Sequence, residues 1–279
     1  MDGIYRLIDL ILPIEPLRYD FMKNAFLAVL LMTPLLALLG TMTVNRQMAF
    51  FSDALGHSAL TGIGLGIVLG VHNDLLAMLV FGIVWALLIC WVRTSGSTSA
   101  DTVISVFAST SIAAGLLILS RGGQFAKYSS LLIGDITAIT QVDLIWLLCA
   151  LVAGITVWVF LFNPLLMTGI SNPLAHTRRI RTKLTEAVFM VLIAIVVMMA
   201  IRMIGVMLIN ALLVLPAAAG RNISRNSRQH AVSSILIALL SGISGLFAAY
   251  AWDTSAGAAI VLCAAVCFAV SLLIRPLRK

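Results

Sequence analysis

The stretch LIWLLCALVAGITVWVFLF occupies residues 144–162 and contains no charged side chain. A helix rises about 1.5 Å per residue, so about 20 apolar residues cross the roughly 30 Å hydrocarbon core of a bilayer. In lipid every backbone N–H and C=O needs a partner within the protein, and a helix supplies these partners. This stretch is therefore predicted to be a membrane-spanning helix.

Similar apolar stretches recur along the chain. Hydrophobic residues make up 61% of the 279 residues, charged residues only 10%, and the mean hydropathy is +1.10. Soluble proteins carry about 25% charged residues, so a water-soluble fold is excluded. We predict an all-α, polytopic membrane protein of about eight or nine spans, with a short or broken helix at the second. The spans are expected at residues 24–44, 53–70, 74–92, 102–120, 144–162, 184–201, 205–220, 231–250 and 256–274.

Charge placement predicts the orientation and the domain layout. If residues 163–183 face the cytoplasm, twelve of the 18 Lys and Arg residues lie on that side, as the positive-inside rule requires. The net charge of +7 therefore indicates contact with membrane lipid and not with nucleic acid. Residues 1–23 are expected to form a separate N-terminal segment without the features of a cleavable signal peptide, and residues 24–279 one transmembrane domain.

The second apolar stretch carries an aspartate and a histidine within FFSDALGHSALTGIGLG, residues 50–66. On a helix, Asp53 and His57 stand one turn apart on the same face. A carboxylate oxygen with an imidazole nitrogen suits zinc, manganese or iron, whereas calcium and magnesium prefer oxygen alone. Ionisable groups at membrane depth are costly and tend to be functional. The alternatives are that Asp53 caps the helix and that His57 makes a hydrogen bond between helices.

The outer face is expected to be acidic. An acidic mouth over a basic inner face suits uptake of a cation, although each aspartate could instead cap a helix. The residues concerned are Asp74, Asp135, Asp143 and Asp253, with His72 beside them.

A basic segment, NPLLMTGISNPLAHTRRIRTK, occupies residues 163–183. Asn172 followed by Pro173 is typical of a helix start. We predict a short amphipathic helix along the cytoplasmic surface, with Leu174 as an apolar anchor beside Arg178 and Arg179. Such a helix could receive force from a soluble motor protein. The alternative is a basic loop that contacts anionic lipid head groups.

Several catalytic motifs are absent from the sequence. There is no G-x-x-x-x-G-K-[ST] motif, so binding of ATP phosphates through a P-loop is not expected. There is also no H-E-x-x-H and no G-x-S-x-G motif, and no additional His or Glu lies near Asp53 in the sequence. A membrane hydrolase or metalloenzyme is therefore disfavoured.

Five stretches together resemble one family, the zinc- and manganese-type ABC transporter permeases. They are FFSDALGHSALTGIGLG, SLLIGDITAITQVDL, NPLL with the basic residues after it, GVMLINALLVLPAAAGR and AWDTSAGAAIVLCAA. The likeness runs from about residue 21 to residue 274. The resemblance implies a homodimer in the bacterial plasma membrane, two copies of a cytoplasmic ATP-binding subunit, and an extracytoplasmic metal-binding protein.

The resemblance also implies roles for individual residues. Asp53 and His57 would contact the metal in its pathway, and Asp253 would correspond to the aspartate of the late D-x-x-x-G segment, which favours zinc. No permanently bound cofactor is implied, and ATP hydrolysis is expected on a separate chain, so the protein is not expected to be an enzyme. We predict import of zinc, with manganese or iron possible. The alternative is an ATP-independent secondary transporter or channel for a divalent cation.

Overall fold

The protein is helical, as a computed structural model covering residues 5, 15–96, 98–121, 123–128, 130–134, 136–170 and 181–274 describes it. No β-strand occurs among these residues, which confirms the predicted all-α fold. The α-helices are α1 (Asp20–Asn45), α2 (Phe51–Val68), α3 (Asp74–Ser95), α4 (Ala100–Arg121), α5 (Phe125–Tyr128), α6 (Ser130–Ile133), α7 (Gln141–Ile170), α8 (Thr182–Ile204), α9 (Val206–Ile223), α10 (Ser227–Trp252) and α11 (Ala256–Ile274). Two 3₁₀ helices cover Glu15–Arg18 and Ile136–Ala138.

Eight of the described helices are long and apolar enough to cross a membrane, namely α1, α3, α4 and α7 to α11. Each coincides with a predicted span, and α11 has the predicted bounds of 256 and 274. The largest difference is in α7, which continues past Pro164 to Ile170 instead of ending near residue 162. Residues 163–170 and 182–183 of the predicted basic segment are thus helical. Its residues Asn172, Pro173, Leu174, Arg178 and Arg179 lie outside the described residues.

The remaining predicted span, at residues 53–70, corresponds to α2 and differs from the other eight. It is a continuous helix of 18 residues and is not apolar enough to qualify as a span by itself, because it contains Asp53, His57 and several glycines. It is short, as expected, and unbroken. A helix of this composition needs protein around it and not lipid.

The chain forms two compact units. Unit A comprises Met42–Leu132 and Ala153–Arg202, and unit B comprises Met1–Thr41, Ile133–Val152 and Met203–Lys279. The helices α1, α7 and α8 each contribute residues to both units. The predicted boundary at residue 23 remains a prediction.

In unit A, α2 packs closely against α3 and α4. A Cβ added to Gly66 would lie 2.6 Å from the Cβ of Ala77 on α3, and one added to Gly62 would lie 3.0 Å from the Cβ of Phe81. On the other side, the hydroxyl of Thr61 donates a hydrogen bond of 2.5 Å to the carbonyl of Ser111 on α4. Small residues let these backbones approach, as is common between membrane helices.

In unit B, α9, α10 and α11 pack on one another. Gly220 of α9 lies against Ser234 of α10, and Gly245 of α10 lies against Ile260 of α11, so neither glycine has room for a Cβ. His230 lies on α10 and is buried. Its Nε2 is 2.8 Å from the carbonyl oxygen of Ala217.

Candidate metal site

The candidate site begins at the start of α2. Phe50 precedes the helix and provides no side-chain cap, and Asp53 is the third residue of the first turn. Phe50, and not Asp53 as the alternative supposed, is therefore the N-cap residue of α2. A carboxylate in the first turn is still favourable there, because the unpaired N–H groups give that end of the helix a partial positive charge.

Asp53 and His57 form the open part of the stretch from Phe51 to Gly64 of α2, which is otherwise enclosed. The structure describes every residue from Phe51 to Gly64, and all of them are buried except these two. The Asp53 side chain is 43% exposed and that of His57 is 25% exposed. The Nε2 atom of His57 lies 3.5 Å from Oδ1 of Asp53. The sequence prediction that both side chains share one face of the helix is correct.

This separation suits two ligands of one metal ion. Zinc binds nitrogen and oxygen ligands at about 2.0–2.2 Å, so two ligand atoms at a tetrahedral angle lie about 3.4 Å apart. The observed separation of 3.5 Å matches that edge. The hydrogen-bond alternative for His57 invoked a neighbouring helix, but the contact described for its imidazole is with Asp53, on the same helix.

Asp253, the third predicted ligand, is the C-cap of α10 in unit B. Its backbone is left-handed, with φ 50° and ψ 49°, and its N–H donates to the carbonyl of Ala249. Among the described residues, no three His, Cys, Asp or Glu side chains come close enough to hold a metal ion. A metal role for Asp253 remains a prediction.

Two other aspartates predicted for the outer face, Asp143 and Asp74, accept hydrogen bonds. Asp143 accepts hydrogen bonds from the N–H and hydroxyl of Thr140, at 3.0 and 2.7 Å, at the start of α7. Asp74 begins α3 and accepts a hydrogen bond of 3.2 Å from the hydroxyl of Tyr128. Asp135 lies outside the described residues. The capping alternative is correct for Asp143.

A cavity of about 570 Å³ lies in unit A beside the start of α3. Its polar lining consists of His72, Asn73, Asp74, Lys127, Tyr128 and Arg202. Lys127 donates a hydrogen bond of 3.1 Å to the hydroxyl of Tyr128, which raises the pKa of its ammonium group. With two cationic side chains and one carboxylate in the lining, this cavity is not the acidic mouth that the sequence suggested.

The opposite end of unit A contains an ion cluster that the sequence did not reveal. Arg93, in the last turn of α3, donates to Oε1 of Glu186 in α8, and Nη1 of Arg46 lies 3.4 Å from the same oxygen. We call Arg46, Arg93 and Glu186 the Glu186 cluster. From the sequence, Arg46 and Arg93 are only two of the twelve basic residues assigned to the cytoplasmic side. The available signal was Glu186 itself, a carboxylate inside a predicted span and one of two glutamates in the chain.

Within the part of the chain that the structure describes, eight apolar helices and a ninth with ionisable side chains define a multi-pass membrane protein. The ABC 3 transport family matches residues 18–275, and the chain belongs to this family. Membership implies a bacterial membrane component of an ABC transporter, working with an ATP-binding subunit and a substrate-binding protein.

Individual relatives match over nearly their whole length. The chain is 30% identical to the high-affinity zinc uptake system membrane protein ZnuB of Haemophilus influenzae, over 91% of this chain and 97% of that protein. It is 28% identical to the manganese import system permease protein ScaB of Streptococcus parasanguinis, over 94% and 93%. Among solved structures, PsaBC from Streptococcus pneumoniae in complex with Fab matches with a TM-score of 0.80 and 24% identity, over 99% of this chain and 97% of that chain.

Proposed function

We propose that this chain is the permease subunit of an ABC importer that moves zinc or manganese into the cytoplasm. The observation that carries the proposal is the Asp53–His57 pair, two side chains of metal-binding type that lie 3.5 Å apart within an otherwise buried stretch of α2. Iron is a further candidate because nitrogen and oxygen ligands suit all three metals. Zinc is favoured if Asp253 joins the site.

The similar proteins support a metal as the cargo. Relatives named for zinc uptake and for manganese import match this chain at 30% and 28% identity. Each of those proteins is named as a membrane or permease component, which supports the same role here. The identities are too similar to favour one metal.

The proposed assembly contains more than this chain. Two copies of the permease pair in the membrane, two cytoplasmic ATP-binding subunits hydrolyse ATP, and an extracytoplasmic metal-binding protein delivers the ion. The segment 163–183 receives the movement of the ATP-binding subunits. Hydrolysis on a separate chain agrees with the absence of a P-loop motif from this sequence.

The binding must also permit release. An ion that is held equally tightly in both conformations of a transporter does not move, so the site has to weaken in one of them. One Asp53–His57 pair supplies only two of the four ligands that a stable zinc site contains. Incomplete ligation of this kind suits a transient site.

The proposal is tested with proteoliposomes that contain the permease and its ATP-binding subunit, supplied with the loaded metal-binding protein. Asp53→Ala and His57→Ala should each lower ATP-dependent uptake of zinc or manganese at least about tenfold, since even outer-shell changes cost that much in metal affinity. The matched control is Asp101→Ala, which removes an exposed carboxylate from the first turn of α4.

Two results would contradict the proposal. Normal uptake by both variants would remove Asp53 and His57 from the pathway. Uptake by the wild-type protein that continues without ATP would instead support a secondary transporter or channel.

A further inference from the structure

The Glu186 cluster lies where three parts of unit A meet. Arg46 belongs to the turn between α1 and α2, Arg93 to the last turn of α3, and Glu186 to the start of α8. All three side chains are largely buried, with exposures of 9% for Arg46, 18% for Arg93 and 16% for Glu186. Charges at such low exposure require partners, and here two guanidinium groups share one carboxylate oxygen.

Arg46 also contacts the end of α7. Its Nη2 donates to the hydroxyl of Thr168 and lies 3.4 Å from the carbonyl oxygen of Leu165. Thr168 precedes the segment 171–180, and Glu186 follows it, so Arg46 is bonded to both described flanks of that segment. Only these flanks enter the inference.

Arg93 fixes the turn that contains Arg46. Its Nη1 lies 2.7 Å from the sulfur of Met48, and its Nη2 lies 3.5 Å from the backbone carbonyl oxygen of Arg46. The turn leads directly into α2, where Asp53 is seven residues beyond Arg46. Each flank is therefore connected through at most two side chains to the beginning of the helix that carries Asp53 and His57.

Stability alone does not explain this cluster. A buried ion pair contributes little net stability compared with well-packed apolar residues, because removing two charges from water offsets their attraction. Here the charges do not balance, since the contacts join two guanidinium groups to one carboxylate. Among the described residues, the Nε of Arg46 also lacks a hydrogen-bond partner.

We propose that Arg46, Arg93 and Glu186 are positioning residues that couple the cytoplasmic segment between α7 and α8 to the Asp53–His57 pair. Movement of the flanks shifts the turn at Arg46, the turn shifts the start of α2, and the two metal-binding side chains change their separation. The inference rests on the proposed function and adds to it the route by which ATP hydrolysis reaches the metal.

The test uses the full complex in proteoliposomes, with zinc and manganese each supplied on the loaded binding protein. For each variant, metal uptake and ATP hydrolysis are measured together and expressed as ions transported per ATP. Glu186→Gln should lower this ratio about tenfold, within the range that couplings between sites span, while ATP hydrolysis continues. Glu15→Gln, the other glutamate of the chain, is the control and should keep the wild-type ratio.

A second variant keeps the test decisive if Glu186→Gln does not fold. Thr168→Val preserves the shape of the side chain and removes only the hydroxyl that contacts Arg46. Its matched control is Thr110→Val, because the Thr110 hydroxyl also bonds to the carbonyl four residues earlier but is exposed on α4. Thr168→Val should lower the number of ions per ATP at least fivefold relative to Thr110→Val.

A measurement of metal binding distinguishes a failure of the coupling role from a failure of the proposed function. Equilibrium binding of Co²⁺ to the detergent-solubilised complex should be unchanged in Thr168→Val and lost in Asp53→Ala. If the folded Glu186 and Thr168 variants transport as many ions per ATP as their controls, the coupling role is wrong, while the metal pathway stands. If the wild-type complex transports neither metal, the proposed function itself fails.

Discussion

The Asp53–His57 pair shows how two ionisable side chains are accommodated on a helix whose neighbouring residues are buried. Asp53 lies in the first turn of α2, where the helix end favours negative charge, and His57 lies against it one turn later. The other residues of α2 from Phe51 to Gly64 are buried, so these two side chains form the exposed part of that stretch.

Asp253 can be tested for a role beyond ending α10. Asparagine tolerates the left-handed backbone as aspartate does, so Asp253→Asn removes the charge and leaves the cap intact. If the carboxylate binds metal, zinc uptake by Asp253→Asn should fall several-fold while the thermal unfolding midpoint stays unchanged. Asp253→Ala should additionally destabilise the fold by about 1–2 kcal/mol, the cost of a left-handed conformation.

The control for this measurement is Asp101→Asn on α4. Uptake by Asp253→Asn equal to that of the control would leave Asp253 as a C-cap and would weaken the preference for zinc.

At the level of single residues, the sequence predicted local relations better than distant ones. The spacing of Asp53 and His57 implied a shared face because helical periodicity alone determines it. The Glu186 cluster was missed because its members are separated by 47 and 93 positions, and such contacts depend on how α3, α7 and α8 pack. A carboxylate inside an apolar span was the clue, since such a group needs a cationic partner.

Among the elements, α2 depends most on close packing. Gly66 faces Ala77 of α3 with no space for a methyl group, since an added Cβ would lie 2.6 Å from the Ala77 Cβ. Gly66→Ala should therefore lower the free energy of unfolding by about 1–3 kcal/mol, the usual cost of overpacking. Thermal or denaturant-induced unfolding of the detergent-solubilised protein measures the change in the free energy of unfolding.

Two further variants check the cause. Gly169→Ala is the control, because Gly169 also lies in a helix but no atom would approach its added Cβ within 4 Å. The double variant Gly66→Ala with Ala77→Gly moves the methyl group to the other helix and should recover stability. A loss equal in Gly66→Ala and Gly169→Ala would contradict the packing explanation.

The positions of the apolar helices could be predicted because length and hydropathy determine them. The end of α7 could not, because Asn163 and Pro164 were interpreted as the end of a span, yet the helix continues through them to Ile170. A proline within a helix removes one backbone hydrogen bond, a loss that membrane helices can tolerate. The four-residue helices α5 and α6 were also missed, since one turn leaves no periodic pattern.

For the whole molecule, the proposed homodimer has a measurable mass. Large apolar side chains of α7, such as Phe160 and Val159, are exposed at 77% and 58% in the single chain. Native mass spectrometry of the purified complex should detect two copies of the 29.9 kDa permease with two ATP-binding subunits. A complex with one permease copy would contradict the proposed assembly.

The polarity of α2 also has a consequence for biosynthesis. The ribosome completes α2 before α3 and α4, the two helices that enclose it in unit A. Because it contains an aspartate and a histidine, α2 should gain less by entering lipid than the apolar helices do. We expect its integration to wait until its neighbours emerge, so that α2, α3 and α4 insert together. The two side chains proposed to contact the metal would thus delay the nascent chain on its way into the bilayer.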